Sequence, residues 1–238
     1  MVGGVVCLVR PFMIPMLVRH RIAQLFAAAG LAFGAASSVG SDIASAPSAG
    51  AAAAKTVVVL GDSLAAGYGL DRTEAFPALL QRKVNELGLR FQVVNAGVSG
   101  DTSAGGLRRL DWLLKRPVNV LVIELGGNDG LRGLSATALK QNLQSIIERT
   151  RAKYPGVKIV LAGMKMPSNF GEYATQFERV YSELAKEENV ALVPFLLEGV
   201  GGQPALNLPD GIHPTAEGQK VLAENVWRVL KPVLEKED

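Results

Sequence analysis

The fold this sequence predicts is a three-layer α/β/α sandwich on a five-stranded parallel sheet, and three observations carry it. From Lys55 onward, short β-rich runs alternate with helical patterns. Most of the runs are continuously apolar, as strands are when helices cover both faces of a parallel sheet. Glycine-rich polar segments follow the first three runs and precede the last helical pattern. In doubly wound sheets, ligands gather beyond the carboxyl ends of the strands.

The elements follow in order. Residues 56–60 (TVVVL), 91–95 (FQVVN), 118–125 (VNVLVIEL), 157–163 (VKIVLAG) and 190–193 (VALV) read as strands. Helical patterns occupy 74–87, 103–114, 135–153 and 173–188. In the third, Leu139, Leu143, Ile146 and Ile147 share one face, and in the fourth Phe177, Val180, Tyr181 and Leu184 do. Both are amphipathic stripes that face a core. A last helix over about 215–230 is expected to stop before Pro232, because proline lacks the N–H that a continuing helix needs. Consecutive β-α units with no internal repeat or linker make a single domain over residues 55–238.

Composition narrows the function. The 238 residues are 48% hydrophobic and 20% charged, enough for one ordinary core and cramped for two. Residues 1–46 hold three arginines and one acid, so the net charge of +3 leaves only +1 for the rest, too balanced for nucleic-acid binding. One cysteine, Cys7, excludes a disulfide framework and a cysteine zinc site. Nothing in the sequence fixes an oligomeric state.

Residues 1–54 read as an address. An apolar run at 22–36 follows Arg19, His20 and Arg21 and leads into an Ala/Ser-rich stretch. Basic start, short apolar core and small-residue exit mark a cleaved secretory signal, with Ala44-Ser45-Ala46 or the alanines at 51–54 as exits. A membrane anchor needs about 20 apolar residues, so no span is expected after processing. Met16 begins a conventional signal by itself and is the expected start, which leaves Cys7 and His20 outside the mature chain and His213 as its single histidine.

The predicted rim collects Gly61-Asp62-Ser63-Leu64, the stretch from Ala96 to Thr102, Gly126-Gly127-Asn128-Asp129-Gly130, and Asp210-Gly211-Ile212-His213-Pro214. Taken singly, each fits an ordinary turn or helix cap. Together they supply a hydroxyl, an imidazole to take its proton, an acid to orient the imidazole, and amide donors for an oxyanion. Rival chemistries fare worse. No P-loop occurs, Gly67-Tyr68-Gly69 is followed by Arg72 where a dinucleotide fingerprint needs glycine, and the G-x-S-x-G elbow is missing. Asp62, Asp101, Asp129, Asp210 and His213 are sparse for a metal site.

These blocks resemble the SGNH, or GDSL, hydrolase family over essentially residues 56–230, and are similar to its bacterial periplasmic branch of thioesterases, lysophospholipases and arylesterases. The resemblance rests on VLGDSLAAGYGL, VVNAGVSGDTSAGGL, LVIELGGNDGLRG and DGIHPTAEGQ. It implies the flavodoxin-like SGNH fold, with Ser63 as nucleophile and Asp210 and His213 as acid and base. The oxyanion would be held by the N–H groups of Ser63 and Gly100 (rather than Gly97) and by the Asn128 amide. It also implies a small acyl ester or thioester substrate, no cofactor and no metal. Gly126, Gly127, Gly130 and Gly133 permit either a rigid turn or a loop that adjusts over an acyl chain, and the resemblance favours the second, with Gly130 and Leu131 as substrate contacts. A carbohydrate O-deacetylase is the alternative within the family, and a non-catalytic binding module is the alternative outside it.

Overall fold

The computed structural model describes residues 54–238. The signal segment, its cleavage options, Met16, Cys7 and His20 lie outside the described residues. Five strands, β1 (Lys55–Gly61), β2 (Phe91–Gly97), β3 (Val120–Glu124), β4 (Lys158–Ala162) and β5 (Ala191–Val193), form one sheet in the order β2-β1-β3-β4-β5, every pair parallel. The predicted fold class holds.

Among the described residues, seven α-helices accompany the sheet: α1 (Ser63–Ala66), α2 (Phe76–Glu86), α3 (Ser103–Leu113), α4 (Gly127–Leu131), α5 (Ala136–Lys153), α6 (Glu172–Glu187) and α7 (Ala216–Glu237). Helix α2 packs on α7, while α3 packs on α5 and α5 on α6. All five residues of β3 are buried, as the centre of the sheet requires of its apolar run 120–123, and the fifth is Glu124. The stripes read from the sequence face inward: Leu139, Leu143, Ile146 and Ile147 on α5, and Phe177, Val180, Tyr181 and Leu184 on α6, are all buried.

Two expectations differ from the structure. Helix α7 runs through Pro232 to Glu237 instead of stopping before it. A proline inside a helix costs about 3 kcal/mol. Here Leu234 is wholly buried beyond it, Glu237 pairs with Lys158 at 3.2 Å, and the Asp238 carboxylate accepts the Arg90 N–H at 3.0 Å. Packing and these end contacts offset the lost bond. The glycine-rich stretch after β3 forms the short helix α4 rather than an open loop. Positive φ is confined there to Gly126 (114°) and Gly133 (62°) on either side of it.

The chain order reverses direction across the sheet between β1 and β3. Ligand crevices form at that switch point, and the loops leaving β1, β2 and β3 all open there.

Candidate active site

Ser63 is the first residue of α1, with Asp62 alone between it and the end of β1. Asp62 caps that helix, its Oδ1 accepting the Leu64 N–H at 3.0 Å, and Gly67 closes it in the left-handed conformation. Leu64 and Ala65 are buried, so the turn is held from below while the Ser63 side chain meets the cleft. Gln219 of α7 is 1% exposed, donates to the Leu64 carbonyl and accepts the Phe76 N–H. The helix that follows His213 is thereby fastened to the helix that carries Ser63.

His213 lies on the loop before α7. Its Nε2 is 3.0 Å from Ser63 Oγ, and its Nδ1 is 2.8 Å from Asp210 Oδ2. The other Asp210 oxygen accepts the backbone N–H groups of Ile212 and His213, both at 3.0 Å. This is an Asx-type turn, which the three-residue spacing of Asp-Gly-Ile-His allows. The loop is pinned by the Leu208 N–H on the His213 carbonyl at 2.7 Å. Three hydrogen bonds, that to His213 foremost, lower the Asp210 carboxyl to about 2. Tyr68 covers the imidazole, ring centroids 4.3 Å apart.

Gly100 lines the cleft with φ 81°, and its carbonyl accepts from Arg132 Nη2 at 3.0 Å. Gly97 instead packs against the backbone of Ala65 and Ala66, where a Cβ has no room. Asn128 follows the turn at Gly126, where a Cβ would collide with the Tyr181 hydroxyl. That hydroxyl donates to the Leu125 carbonyl at 3.0 Å. The neighbouring Asp129 accepts both the N–H and the hydroxyl of Ser103, which locks the β3 loop to the start of α3. Asn128 Nδ2 points at Asp62 Oδ2 (3.1 Å) and at the Asp101 carbonyl (3.0 Å). Both amide protons therefore have acceptors.

Beneath the serine turn lie two carboxyls. Asp62 is 2% exposed and Glu124, at the end of β3, is 0% exposed. Burial is the main reason that Asp62 is raised to about 6, against opposing hydrogen bonds from Leu64 and Asn128. Burial and then the Asp62 charge push Glu124 well above the ordinary carboxyl range.

The cleft has a volume of about 630 Å³ and an apolar wall of Met164, Met166, Phe195, Leu197 and Leu131. Leu131 faces it, as expected. Gly130 does not line it: it is buried in α4, where its missing side chain leaves room for Met166. Met164-Lys165-Met166 after β4 and Phe195 after β5 also line the cleft, where the same rule of strand carboxyl ends points although no polar motif marks them. Tyr68 and Glu124 carried no spacing signal. Among the described residues, no three His, Cys, Asp or Glu side chains are grouped to hold a metal ion.

This arrangement defines a class. A hydroxyl, an imidazole and a carboxylate in line beside an apolar cleft are the equipment of acyl-ester hydrolysis. The GDSL-like Lipase/Acylhydrolase family matches residues 59–221, and the chain belongs to that family. It is 50% identical over 186 residues to Esterase TesA of Pseudomonas aeruginosa, covering 77% of this chain and 91% of that one. It is 43% identical over 187 residues to Thioesterase 1/protease 1/lysophospholipase L1 of Escherichia coli K12, covering 77% and 87%. A crystal structure of TesA superposes with a TM-score of 0.72 at 49% identity, over 75% of this chain and 99% of the other.

Proposed function

We propose that this chain is a serine esterase and thioesterase that works through an acyl-enzyme on Ser63. The observation that carries the reading is the continuous relay from Asp210 Oδ2 through the imidazole to Ser63 Oγ, at 2.8 and 3.0 Å. His213 Nε2 takes the hydroxyl proton as Oγ attacks the acyl carbon. Asp210, ionised at all working pH, holds the ring and offsets the imidazolium charge. The tetrahedral oxyanion is met by the N–H groups of Ser63 and Gly100 and by the Asn128 amide, which exchanges one present acceptor for it. The proton then passes from His213 to the leaving alcohol or thiol. Water repeats the sequence to release the acid.

The apolar wall of the cleft supports an acyl chain longer than acetyl, each buried methylene adding up to about 0.8 kcal/mol. Because the relay contacts only the carbonyl and leaving atom, aryl esters and acyl thioesters are both substrates. A p-nitrophenyl ester series beside acyl-CoA, lysophospholipid and acetylated xylan tests this, and activity confined to acetylated sugar overturns the acyl-chain reading. Replacing Ser63 with Ala lowers kcat by about 10³-fold or more; near-normal turnover of that variant ends the serine mechanism.

The same reading makes residues 1–54 a removed signal, residues 55–238 one hydrolase domain, and the periplasm its location. Basic residues before an apolar run support it, and no helix among the described residues is long and apolar enough to cross a membrane. The N-terminal sequence of the exported protein tests it.

A further inference from the structure

Glu124 is the most deeply enclosed of the buried carboxyls at the site, and the relay gives it no task. It ends β3 in register with Gly61, whose missing side chain leaves the space that the carboxyl fills. Oε2 accepts the N–H groups of Asp62 (3.0 Å) and Ala65 (3.2 Å), the residues on either side of the Ser63–Leu64 pair. Oε1 is buried and meets no hydrogen-bond partner. Asp62 in turn holds the Leu64 N–H on one oxygen and the Asn128 amide on the other. A chain of contacts thus runs from Glu124 to the serine turn, and through Asp62 to the oxyanion amide.

We propose that Glu124 is a positioning residue for the reaction: as a neutral acid it fixes the turn that bears Ser63 and leaves Asp62 as the single charge that aims Asn128. The inference rests on the serine-hydrolase reading above. An ionised Glu124 would be a fully buried charge with one bare oxygen beside a second carboxylate, and such a charge is neutralised rather than kept. The surroundings offer no relief. Tyr181 from α6 is itself pushed far up by burial, Asp129 from α4 is acidic, and His213 faces Asp62 from the loop before α7. Arg109 from α3 is spent on the Asp101 carboxylate at 2.6 Å and the Gly61 carbonyl at 2.9 Å. As a neutral acid, Glu124 keeps Oε2 as an acceptor for two backbone donors and adds no charge.

The test compares Glu124→Leu and Glu124→Gln by kcat, KM and pH profile on a p-nitrophenyl ester, with circular dichroism and Tm checking the fold. Leucine fills the space but leaves two N–H groups bare, and kcat falls about 10²-fold with KM nearly unchanged, the scale of a small misplacement of reacting groups. Glutamine accepts the same two donors without charge, restores kcat to within tenfold of the natural enzyme and leaves the low-pH fall of kcat, the acid limb of its pH profile, in place. A folded Glu124→Leu enzyme within tenfold of natural kcat overturns the proposal. So does a Glu124→Gln enzyme that loses more than tenfold in kcat or has a displaced acid limb, and this second comparison decides the matter alone if the leucine variant does not fold. Should Ser63→Ala be inactive while these results fail, the positioning role falls and the serine mechanism stands.

Discussion

Asp210 reaches Ser63 through His213 from the outer rim and Asp62 lies beside it in the interior, and the two carboxyls are driven in opposite directions. The Asp210 side chain keeps 38% of its exposure and gathers three hydrogen bonds on its own loop, which lower it to about 2. Asp62 is almost fully enclosed, and its hydrogen bonds only partly offset the loss of water, so it stands near 6. The difference teaches that a hydrogen-bond count does not set ionisation by itself. Each carboxyl collects backbone and side-chain donors, and solvation decides the outcome. A carboxylate that must remain charged beside an imidazole belongs where water reaches it.

The comparison can be broken from either side. The largest effect is expected at the rim: Asp210→Asn leaves the loop turn but frees the imidazole to take the wrong tautomer, and kcat at saturating p-nitrophenyl ester falls about 10⁴-fold. On the interior side, Asn128→Ala removes the amide that Asp62 holds. The loss is about 10²–10³-fold in kcat, with KM little changed, because the bond strengthens only as the carbonyl oxygen gains charge. A pure KM effect would make Asn128 a ground-state contact.

Stability against pH sharpens the contrast. Asp62, raised from 3.8 to about 6, binds its proton more tightly when folded, so its ionisation weakens the fold progressively as pH rises through that window. The Tm of Asp62→Asn, relative to the natural enzyme, should therefore climb between pH 4 and 7. Asp210, lowered to about 2, contributes stability that is present above about pH 4 and lost below it. For Asp210→Asn the same difference should stay flat from pH 5 to 7. Equal slopes in the two variants would erase the distinction. The smallest effect is expected at Tyr68, which stacks on the imidazole while half exposed. Tyr68→Leu removes a ring contact worth about 0.5–1.5 kcal/mol, a roughly 2- to 10-fold loss in kcat/KM, and Tyr68→Phe retains it.

What the sequence disclosed follows the same division between rim and interior. The sheet was legible because residues 57–60, 120–123 and 159–162 are apolar without interruption, and α5 and α6 because their stripes keep helical spacing. That Ser63, Asp210 and His213 come together was legible because each sits in a short polar block with glycine, whereas the choice of Gly100 over Gly97 rests only on the family resemblance. Glu124 was illegible: it reads as the last residue of a strand, and only the register opposite Gly61 shows what it touches. Tyr68 was hidden for a similar reason, since its partner lies on the far side of the sequence. The Pro232 expectation failed because a local rule met burial of Leu234 beyond it. Gly130 was misassigned because glycine beside a site reads as freedom, whereas here it reads as space for Met166.

The relay joins residues 150 positions apart, and the Gln219 tie that steadies it spans 155. Contacts of such separation form late, after the entropy of closing the intervening chain has been met. On the proposed mechanism, a refolding molecule that has assembled its sheet but not docked its final helix has no base beside Ser63 and is chemically silent. Esterase activity therefore reports the last act of folding, and its recovery should lag behind the return of far-ultraviolet dichroism.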